Sequence, residues 1–285
     1  METLININGT ITTKEKASVS VFDRGFLYGD SIYEVTQTFN RSIFMLEEHL
    51  DRLWYSAGKM DMPIDFTREE IITEITRVLT QLDKENVYIR LILTRGEGEI
   101  GLDPNLATKN NLVIIAIEKE ENPTWWYESG VSMIVAHIHR NPIDALDPNI
   151  KSGNYLNNVM AMSEAKKLGA FDAIMLNVDE QVTEATTSNI WIVKDGCIIT
   201  PPIKAGLLGG ITRRSLIKIA KKNELLIREE NFNVDELKSA DECFLTSTTK
   251  LIVPITTIDN SPIGDGKPGP MTSLLLKLYK ETNKI

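Results

Sequence analysis

The chain has 285 residues, of which 42% are hydrophobic and 25% charged, an ordinary composition for a folded globular protein. Its 31 basic and 40 acidic residues give a formal net charge of −9, and no basic block is present, so nucleic acid is a poor candidate partner. No segment reaches the roughly 20 apolar residues of a membrane span, and the first residues lack a signal-peptide pattern. We therefore expect a cytoplasmic protein without a membrane partner.

Cysteine and histidine usage argues against a metal site. Cys197 and Cys243 lie in separate apolar runs and belong to no C-x-x-C pair, so buried free thiols are expected. His137 and His139 alternate along a strand-like run, which predicts that they share one face of a sheet. We predict no bound metal.

The first part of the chain is predicted to consist of strands, then helices, then strands. Apolar residues at i, i+3, i+4 and i+7 indicate the first helix, and a Thr67-x-x-Glu70 capping box begins the second. In chain order the predicted elements are β-rich runs at 4–11 and 17–22, a hairpin of Ser31–Phe39 and Ser42–Met45 turning at Asn40-Arg41, helices over Glu47–Met60 and from Thr67, and strands over Val87–Thr94 and Leu112–Ile117.

Residues 118–130 break this pattern with charges, a proline and two tryptophans, which predicts a domain boundary. We expect an N-terminal α+β domain over 1–120, a linker over 121–130 and a C-terminal domain over 131–285. The latter mixes strands and helices without strict βαβα alternation, so a doubly wound sheet is not favoured. Its predicted strands are 131–138, 172–177, 189–193, 242–246 and 251–258, and its predicted helices are 154–168, 212–223 and 270–280.

A G-x-G-x-x-G run at 96–101 follows a predicted strand and suggests a nicotinamide-dependent oxidoreductase as a remote alternative. The dinucleotide fingerprint needs a helix directly after the glycines, because the pyrophosphate rests on that helix's N-terminus. Here Leu-Asp-Pro-Asn follows instead. We expect these glycines to connect two antiparallel strands.

Lys151 stands just before the predicted helix over 154–168, among small and polar residues. Asn154 is a candidate cap for that helix, and Tyr155 lies four residues after the lysine. Taken alone, a lysine in this setting is most simply a solvated loop residue. The segments around it change that interpretation.

KSGNYLNNVMAMSEA resembles the lysine segment of the class IV aminotransferases, the fold-type IV enzymes that depend on pyridoxal 5′-phosphate (PLP). Other segments resemble motifs of the same family in the same order over nearly the whole chain. They are DRGFLYGDSIYEV, EEHLDRLWYSA, VTEATTSNIWIVKDG, GGITRRSLIKIA and FLTSTTKLIVPI. The resemblance implies a two-domain α+β fold, the D-amino-acid aminotransferase-like fold, with PLP bound mainly by the C-terminal domain. It also implies a homodimer or a higher homo-oligomer.

Carried over residue by residue, the resemblance makes Lys151 the catalytic residue, which holds PLP and moves the substrate proton. Glu184 would hold the pyridine nitrogen protonated, and Tyr155 would hydrogen-bond the phenolic oxygen. The phosphate would be bound by Arg52, by Ile211 and Thr212 at a helix N-terminus, and by Thr248. The amide of Thr249 would face the substrate carboxylate.

The motifs give conflicting indications of the substrate, some favouring branched-chain enzymes and others D-amino-acid enzymes. Tyr88 and Arg90 resemble the Tyr-x-Arg of branched-chain enzymes, although Arg90 could equally be a structural ion-pair residue. Tyr33, in Tyr-Glu-Val, is closer to D-amino-acid enzymes, yet their Arg-x-His is absent after Thr94-Arg95-Gly96. Leu251 stands where many relatives have Glu.

We therefore predict an aminotransferase acting between an amino acid, most simply a branched-chain L-amino acid, and a 2-oxo acid such as 2-oxoglutarate. A D-amino-acid aminotransferase and an aminodeoxychorismate lyase of the same fold stay open. A non-catalytic protein that keeps the fold is a further alternative.

Overall fold

The computed structural model describes residues 1–285, which form two compact units. One comprises Met1–Glu121 together with Ile150–Asn154, and the other comprises Asn122–Asn149 together with Tyr155–Ile285. The short segment around Lys151, which the predicted division assigns to the C-terminal domain, thus packs with the N-terminal unit. No helix has both the length and the apolar character needed to cross a membrane.

The N-terminal unit is a six-stranded antiparallel sheet with helices, in strand order β2-β1-β6-β5-β3-β4. Its elements are β1 (Thr3–Ile7), β2 (Thr10–Thr13), α1 (Arg24–Tyr28), β3 (Ser31–Phe39), β4 (Ser42–Ile43), α2 (Leu46–Lys59), α3 (Arg68–Leu82), β5 (Val87–Thr94) and β6 (Asn111–Glu118).

Local sequence explains much of this unit. Asn40 and Arg41 both have positive φ at the β3–β4 turn, as a tight hairpin requires, and Thr67 and Glu70 form the predicted capping box of α3. Along β5, buried aliphatic residues alternate with half-buried Tyr88 and Arg90. The aliphatic set packs into a core with α2 and α3, which directs Tyr88 and Arg90 to the other face of the sheet.

The C-terminal unit is built on a nine-stranded mixed sheet. Its elements are α4 (Trp125–Glu128), β7 (Val131–Val135), α5 (Ile143–Leu146), α6 (Leu156–Lys167), β8 (Asp172–Leu176), β9 (Val182–Ala185), β10 (Asn189–Lys194), β11 (Cys197–Thr200), α7 (Ile211–Lys222), β12 (Ile227–Glu229), α8 (Val234–Lys238), β13 (Glu242–Ser247), β14 (Leu251–Ile258), β15 (Ser261–Pro262) and α9 (Pro270–Asn283).

Six strands of this sheet close on themselves. The order β10-β13-β14-β7-β8-β9 returns to β10 through the pairing of Glu184 with Asn189. The closure brings the end of β9, which carries Glu184, beside the start of β10. The predicted α+β class is confirmed, and β7 pairs in parallel with both β8 and β14 without a doubly wound order.

Three local predictions are wrong. Residues 17–22 form no strand, because no neighbouring strand pairs with this β-rich run. His137 and His139 lie beyond the end of β7, where they contact Glu164 and Glu180 instead of sharing a sheet face. Asn154 does not cap α6; its side-chain amide donates to the carbonyl of Gly29 at 3.0 Å.

The glycine run at 96–101 connects antiparallel β5 and β6, as expected. No α-helix follows the glycines, only a single 3₁₀ turn over Pro104–Leu106. Gly96 has φ +106°, and a Cβ there would overlap the carbonyl of Lys109, so the glycine is needed for the close approach of two chain segments. Close packing of the connection between β5 and β6 is therefore enough to explain Gly96.

Candidate active site

The Lys151 segment lies along the start of β3. The amide of Tyr33 donates to the carbonyl of Lys151 at 2.9 Å, and the amide of Gly153 donates to the carbonyl of Ser31 at 2.7 Å. The short strand β4 pairs only with the far end of β3, so this segment occupies the edge that β4 leaves open. A Cβ on Gly153 would overlap the Ser31 hydroxyl, which explains the glycine two residues after the lysine.

The ring of Tyr33 lies beside two cationic side chains. Lys151 Nζ is 4.2 Å and Arg90 Cζ is 4.1 Å from its ring centroid. Val35 pairs with Arg90 and Gln37 pairs with Tyr88 across β3 and β5, so Tyr33, Tyr88 and Arg90 share one face of the sheet. The structure thus places Lys151 and Arg90 against the same Tyr33 ring, with Tyr88 farther along the same sheet face.

The Arg90 side chain has no carboxylate partner in this cluster, and its one described contact is with the Tyr33 ring. Arg95, by contrast, donates to the carboxylate of Asp30 and to the carbonyls of Met60 and Asp61. The guanidinium of Arg95 therefore has a structural role, joining Asp30 to the main chain at Met60 and Asp61. Of these two arginines, only Arg95 has described hydrogen-bond acceptors for its guanidinium.

The opposite face of β3 carries a buried polar cluster of Glu34, His49 and Arg52. Arg52 on α2 donates from Nε and Nη2 to the two carboxylate oxygens of Glu34, both at 2.7 Å, and His49 Nδ1 lies 2.7 Å from the same carboxylate. Burial alone would raise the pKa of Glu34, but the charge and hydrogen bonds of Arg52, with His49, bring it down to about 2. Burial lowers the pKa of His49, which favours the neutral ring.

Glu184 lies in the C-terminal unit and is held by two donors. Arg140 Nε donates to Oε1 at 2.9 Å, and the amide of Leu208 donates to Oε2 at 3.1 Å. Both Glu184 and Arg140 are buried. Asn157 and Asn158, in the first turn of α6, accept from Arg140 Nη1 at 3.0 and 3.3 Å. The asparagines after Tyr155 thereby orient the arginine that orients Glu184.

The N-terminus of α7, here called the α7 cradle, carries polar groups that lack side-chain acceptors. Gly210 is the N-cap residue and supplies no side-chain cap, so the first amides of the helix have no side-chain acceptor there. The hydroxyl of Thr212 is buried without a hydrogen-bond partner, an arrangement that leaves a polar group available to a ligand. A Cβ on Gly210 would overlap the amide oxygen of Asn189, so this close approach needs glycine.

Thr248 and Thr249 lie in the turn that joins β13 and β14. The side-chain amide of Asn122 donates to the carbonyl of Thr249 at 2.8 Å, and the Tyr127 hydroxyl donates to the carbonyl of Lys250 at 2.9 Å. The main chain of the turn is therefore anchored by its carbonyls. Thr248 and Thr249 are both half-buried.

A family model for class IV aminotransferases matches residues 31–258. The chain belongs to this family. It is 39% identical over 277 residues to a putative branched-chain-amino-acid aminotransferase of Methanocaldococcus jannaschii, covering 97% of this chain and 95% of the relative. It is 35% identical over 280 residues to a D-alanine aminotransferase of Listeria monocytogenes, covering 96% and 94% of the two chains.

Solved structures agree with the family assignment. The T.th. branched-chain amino acid aminotransferase with pyridoxamine 5′-phosphate superposes with a TM-score of 0.94 and 30% identity, covering 100% of this chain and 95% of that one. The fold is therefore fold type IV, as the sequence predicted, and class IV aminotransferases depend on PLP. The residues present fit that cofactor, because the α7 cradle offers an unsatisfied hydroxyl for a phosphate and Glu184 is a fixed, buried carboxylate.

Several residues of these sites were missed from sequence. Arg140, Glu34 and His49 act through partners that are 15 to 44 positions away in the chain. Arg140 lies in a short run with no periodicity, so no local signal predicted its role. Glu34 stands inside the segment DRGFLYGDSIYEV, where an acid within a strand-like run was the one local signal.

Proposed function

We propose that this class IV aminotransferase transfers an amino group from a branched-chain L-amino acid to a 2-oxo acid such as 2-oxoglutarate. The observation that carries the proposal is Arg90, a guanidinium without a carboxylate partner that shares the Tyr33 ring with Lys151. A substrate carboxylate is the ligand that such a group binds best. Every amino acid has a carboxylate, so the branched-chain choice rests on the Tyr88-x-Arg90 resemblance and on the branched-chain name of the relative from Methanocaldococcus jannaschii.

Lys151 would hold PLP and carry the proton that leaves and returns at the α-carbon of the substrate. When bound, PLP supplies an electron sink for the electron pair released at that carbon. Glu184, oriented by Arg140, would keep a proton on the pyridine nitrogen, and Tyr155 would donate to the phenolic oxygen. Arg52, Ile211, Thr212 and Thr248 would hold the phosphate.

The carboxylates of the substrates are assigned to a second group of residues. Tyr33, Tyr88 and Arg90 lie on one sheet face in the N-terminal unit, and the amide of Thr249 would donate to the α-carboxylate. These assignments distinguish residues that bind substrate from Lys151, which performs the proton transfers. Substitution of a substrate-binding residue should mainly raise KM, whereas substitution of Lys151 should mainly lower kcat.

The direct test is the visible absorption of the purified protein mixed with L-leucine or with D-alanine. Bleaching by L-leucine, with formation of glutamate from 2-oxoglutarate, supports the proposal. Bleaching by D-alanine alone would refute the proposal and would indicate a D-alanine aminotransferase, the activity named for the Listeria relative. Release of pyruvate without an amino acceptor from a 4-amino-4-deoxychorismate substrate would indicate a lyase instead.

The role of Lys151 has its own test. Lys151→Ala is expected to lower kcat about a thousandfold or more, because the proton carrier and the cofactor attachment are both lost. Lys167→Ala changes an exposed lysine near the end of α6 and should leave turnover unchanged. A Lys151→Ala protein with normal turnover would instead favour a catalytic role for another residue.

A cytoplasmic homodimer is part of the same proposal. Leu156, Val159 and Met160 occupy i, i+3 and i+4 on α6 and are 71%, 58% and 52% exposed. Three large apolar side chains along one helix face are typical of a protein interface, and a second copy of this chain is the partner that the family resemblance implies. Sedimentation should give twice the chain mass of 32.0 kDa, and Met160→Glu should shift it toward the monomer. Cell fractionation tests the compartment.

A further inference from the structure

Lys250 ends the β13–β14 turn, and its side chain crosses to the turn between β9 and β10. Its Nζ donates to the hydroxyls of Thr187 and Ser188 at 2.8 and 3.4 Å and lies 3.8 Å from Asp172 Oδ2. The lysine side chain is 19% exposed and that of Asp172 only 1%. A lysine normally keeps its ammonium group in water, so this placement needs a reason.

Asp172 supplies the compensating charge. Its Oδ1 accepts from the amide and the hydroxyl of Thr186 at 3.3 and 2.6 Å, whereas its buried Oδ2 has no hydrogen-bond partner. Lys250 is therefore the cation that faces the unsatisfied oxygen. Burial lowers the pKa of Lys250, while the charge of Asp172 opposes that change.

The backbone after Lys250 is in a conformation that needs outside support. Leu251 has φ +60°, in the left-handed region that bulky side chains rarely adopt. Such residues persist where surrounding contacts impose the conformation. Here Tyr127 holds the carbonyl of Lys250, Ser247 accepts from its amide at 3.2 Å, and the ammonium group holds the side chain.

We propose that Lys250 is a positioning residue for the cofactor phosphate and the substrate carboxylate. It joins the turn that carries Thr248 and Thr249 to the turn that directly follows Glu184 on β9. The proposal rests on the proposed function, since the positions of Thr248 and Thr249 matter for binding only in that enzyme. A lysine that merely stabilised the fold would change the melting temperature and leave ligand affinities as they were.

The experiment compares Lys250→Met with Lys250→Arg, Thr187→Val and a control. Met keeps the aliphatic stem without the charge, Arg keeps the charge, and Thr187→Val removes the nearest acceptor alone. Lys238→Met is the matched control, because Lys238 also pairs with an aspartate in the same unit, Asp259, at 2.8 Å. Each full-length variant is titrated with PLP after removal of the cofactor, and kcat and KM are measured for L-leucine.

We expect Lys250→Met to raise both the Kd for PLP and the KM for L-leucine about tenfold, because the binding groups are slightly misplaced. The value of kcat should change less than about threefold. Thr187→Val should show a smaller change in the same direction, and Lys250→Arg should recover part of the loss. Amide hydrogen exchange over residues 246–252 of the cofactor-free protein should quicken in Lys250→Met. Lys238→Met should match the wild type in all four measurements.

PLP affinity and KM within twofold of the wild type in Lys250→Met would overturn the inference, even if the melting temperature falls. If Lys250→Met fails to fold, the same criterion applies to Thr187→Val. A wild-type protein that binds no PLP and transfers no amino group would refute the proposed function instead. The two failures are therefore distinguishable.

Discussion

The guanidinium of Arg52 and the carboxylate of Glu34 form a bidentate ion pair inside the N-terminal unit, with both N–O distances at 2.7 Å. The two side chains are 7% and 2% exposed. Arg52 was predicted as a phosphate ligand, and Glu34 fixes the orientation from which it would act. A buried pair of this kind is strongly destabilised when one partner is removed.

Glu34→Gln is accordingly expected to lower the free energy of unfolding by about 3–5 kcal/mol at pH 7, because it leaves the Arg52 charge buried without its carboxylate. Urea unfolding followed by circular dichroism measures the loss. Glu47→Gln removes an exposed partner of Arg68 and should change stability by less than about 0.5 kcal/mol. Equal effects of the two substitutions would contradict the prediction.

The same pair predicts a pH dependence of stability. The pKa of Glu34 falls from its ordinary value of 4.5 to about 2, because Arg52 and His49 outweigh the effect of burial. A carboxyl with a depressed folded-state pKa stabilises fully above pH 4.5 and loses that contribution as the pH falls toward 2. The stability difference between wild type and Glu34→Gln should shrink across this window. A difference that stays constant from pH 5 to pH 2 would show that another group is responsible.

Thr212→Val separates cofactor binding from stability. The hydroxyl is buried without a partner, so its replacement should leave the cofactor-free protein equally stable or up to about 1 kcal/mol more stable. The same change should weaken PLP binding about tenfold, because the proposed phosphate ligand is lost. Thermal unfolding with and without PLP measures both effects. A loss of stability in the cofactor-free protein would mean that the hydroxyl has a structural partner.

Arg90 and Arg95 should respond differently to replacement by Met. Arg90→Met is expected to leave the melting temperature within a few degrees of wild type and to raise KM for 2-oxoglutarate by about tenfold or more. Arg95→Met removes hydrogen bonds to Asp30, Met60 and Asp61 and should lower the melting temperature. Steady-state kinetics with scanning calorimetry would reveal the contrast. An unchanged KM in Arg90→Met would make that arginine a structural residue.

Glu184→Gln should lower kcat by about a hundredfold, because the amide cannot stabilise a protonated ring nitrogen as a carboxylate does. Its absorption spectrum should also differ from that of the wild-type holoenzyme. Glu242→Gln is a fitting control, since Glu242 is a buried acid of the same unit that accepts from the amides of Met271 and Thr272. That variant should lose stability while its spectrum stays that of the wild type.

Local patterns predicted the elements whose geometry depends on neighbours in sequence. The hairpin at Asn40-Arg41, the capping box of α3 and the strand over Val87–Thr94 are all confirmed. Residues 17–22 show the limit of this reasoning, because a β-rich run becomes a strand only when another strand is available to pair with it. Collinear motifs predicted the family, and the comparisons confirm it.

By itself, the sequence determined the fold class and the family, since the order of the motifs can be read along the chain. Only the tertiary structure decided which charged side chains form contacts with one another. Arg140 reaches Glu184 across 44 residues, and Lys151 lies on the open edge of β3, a strand more than 100 residues earlier in the chain. Such contacts depend on strand order and on the burial of each charge, and neither leaves a periodic signal in the sequence.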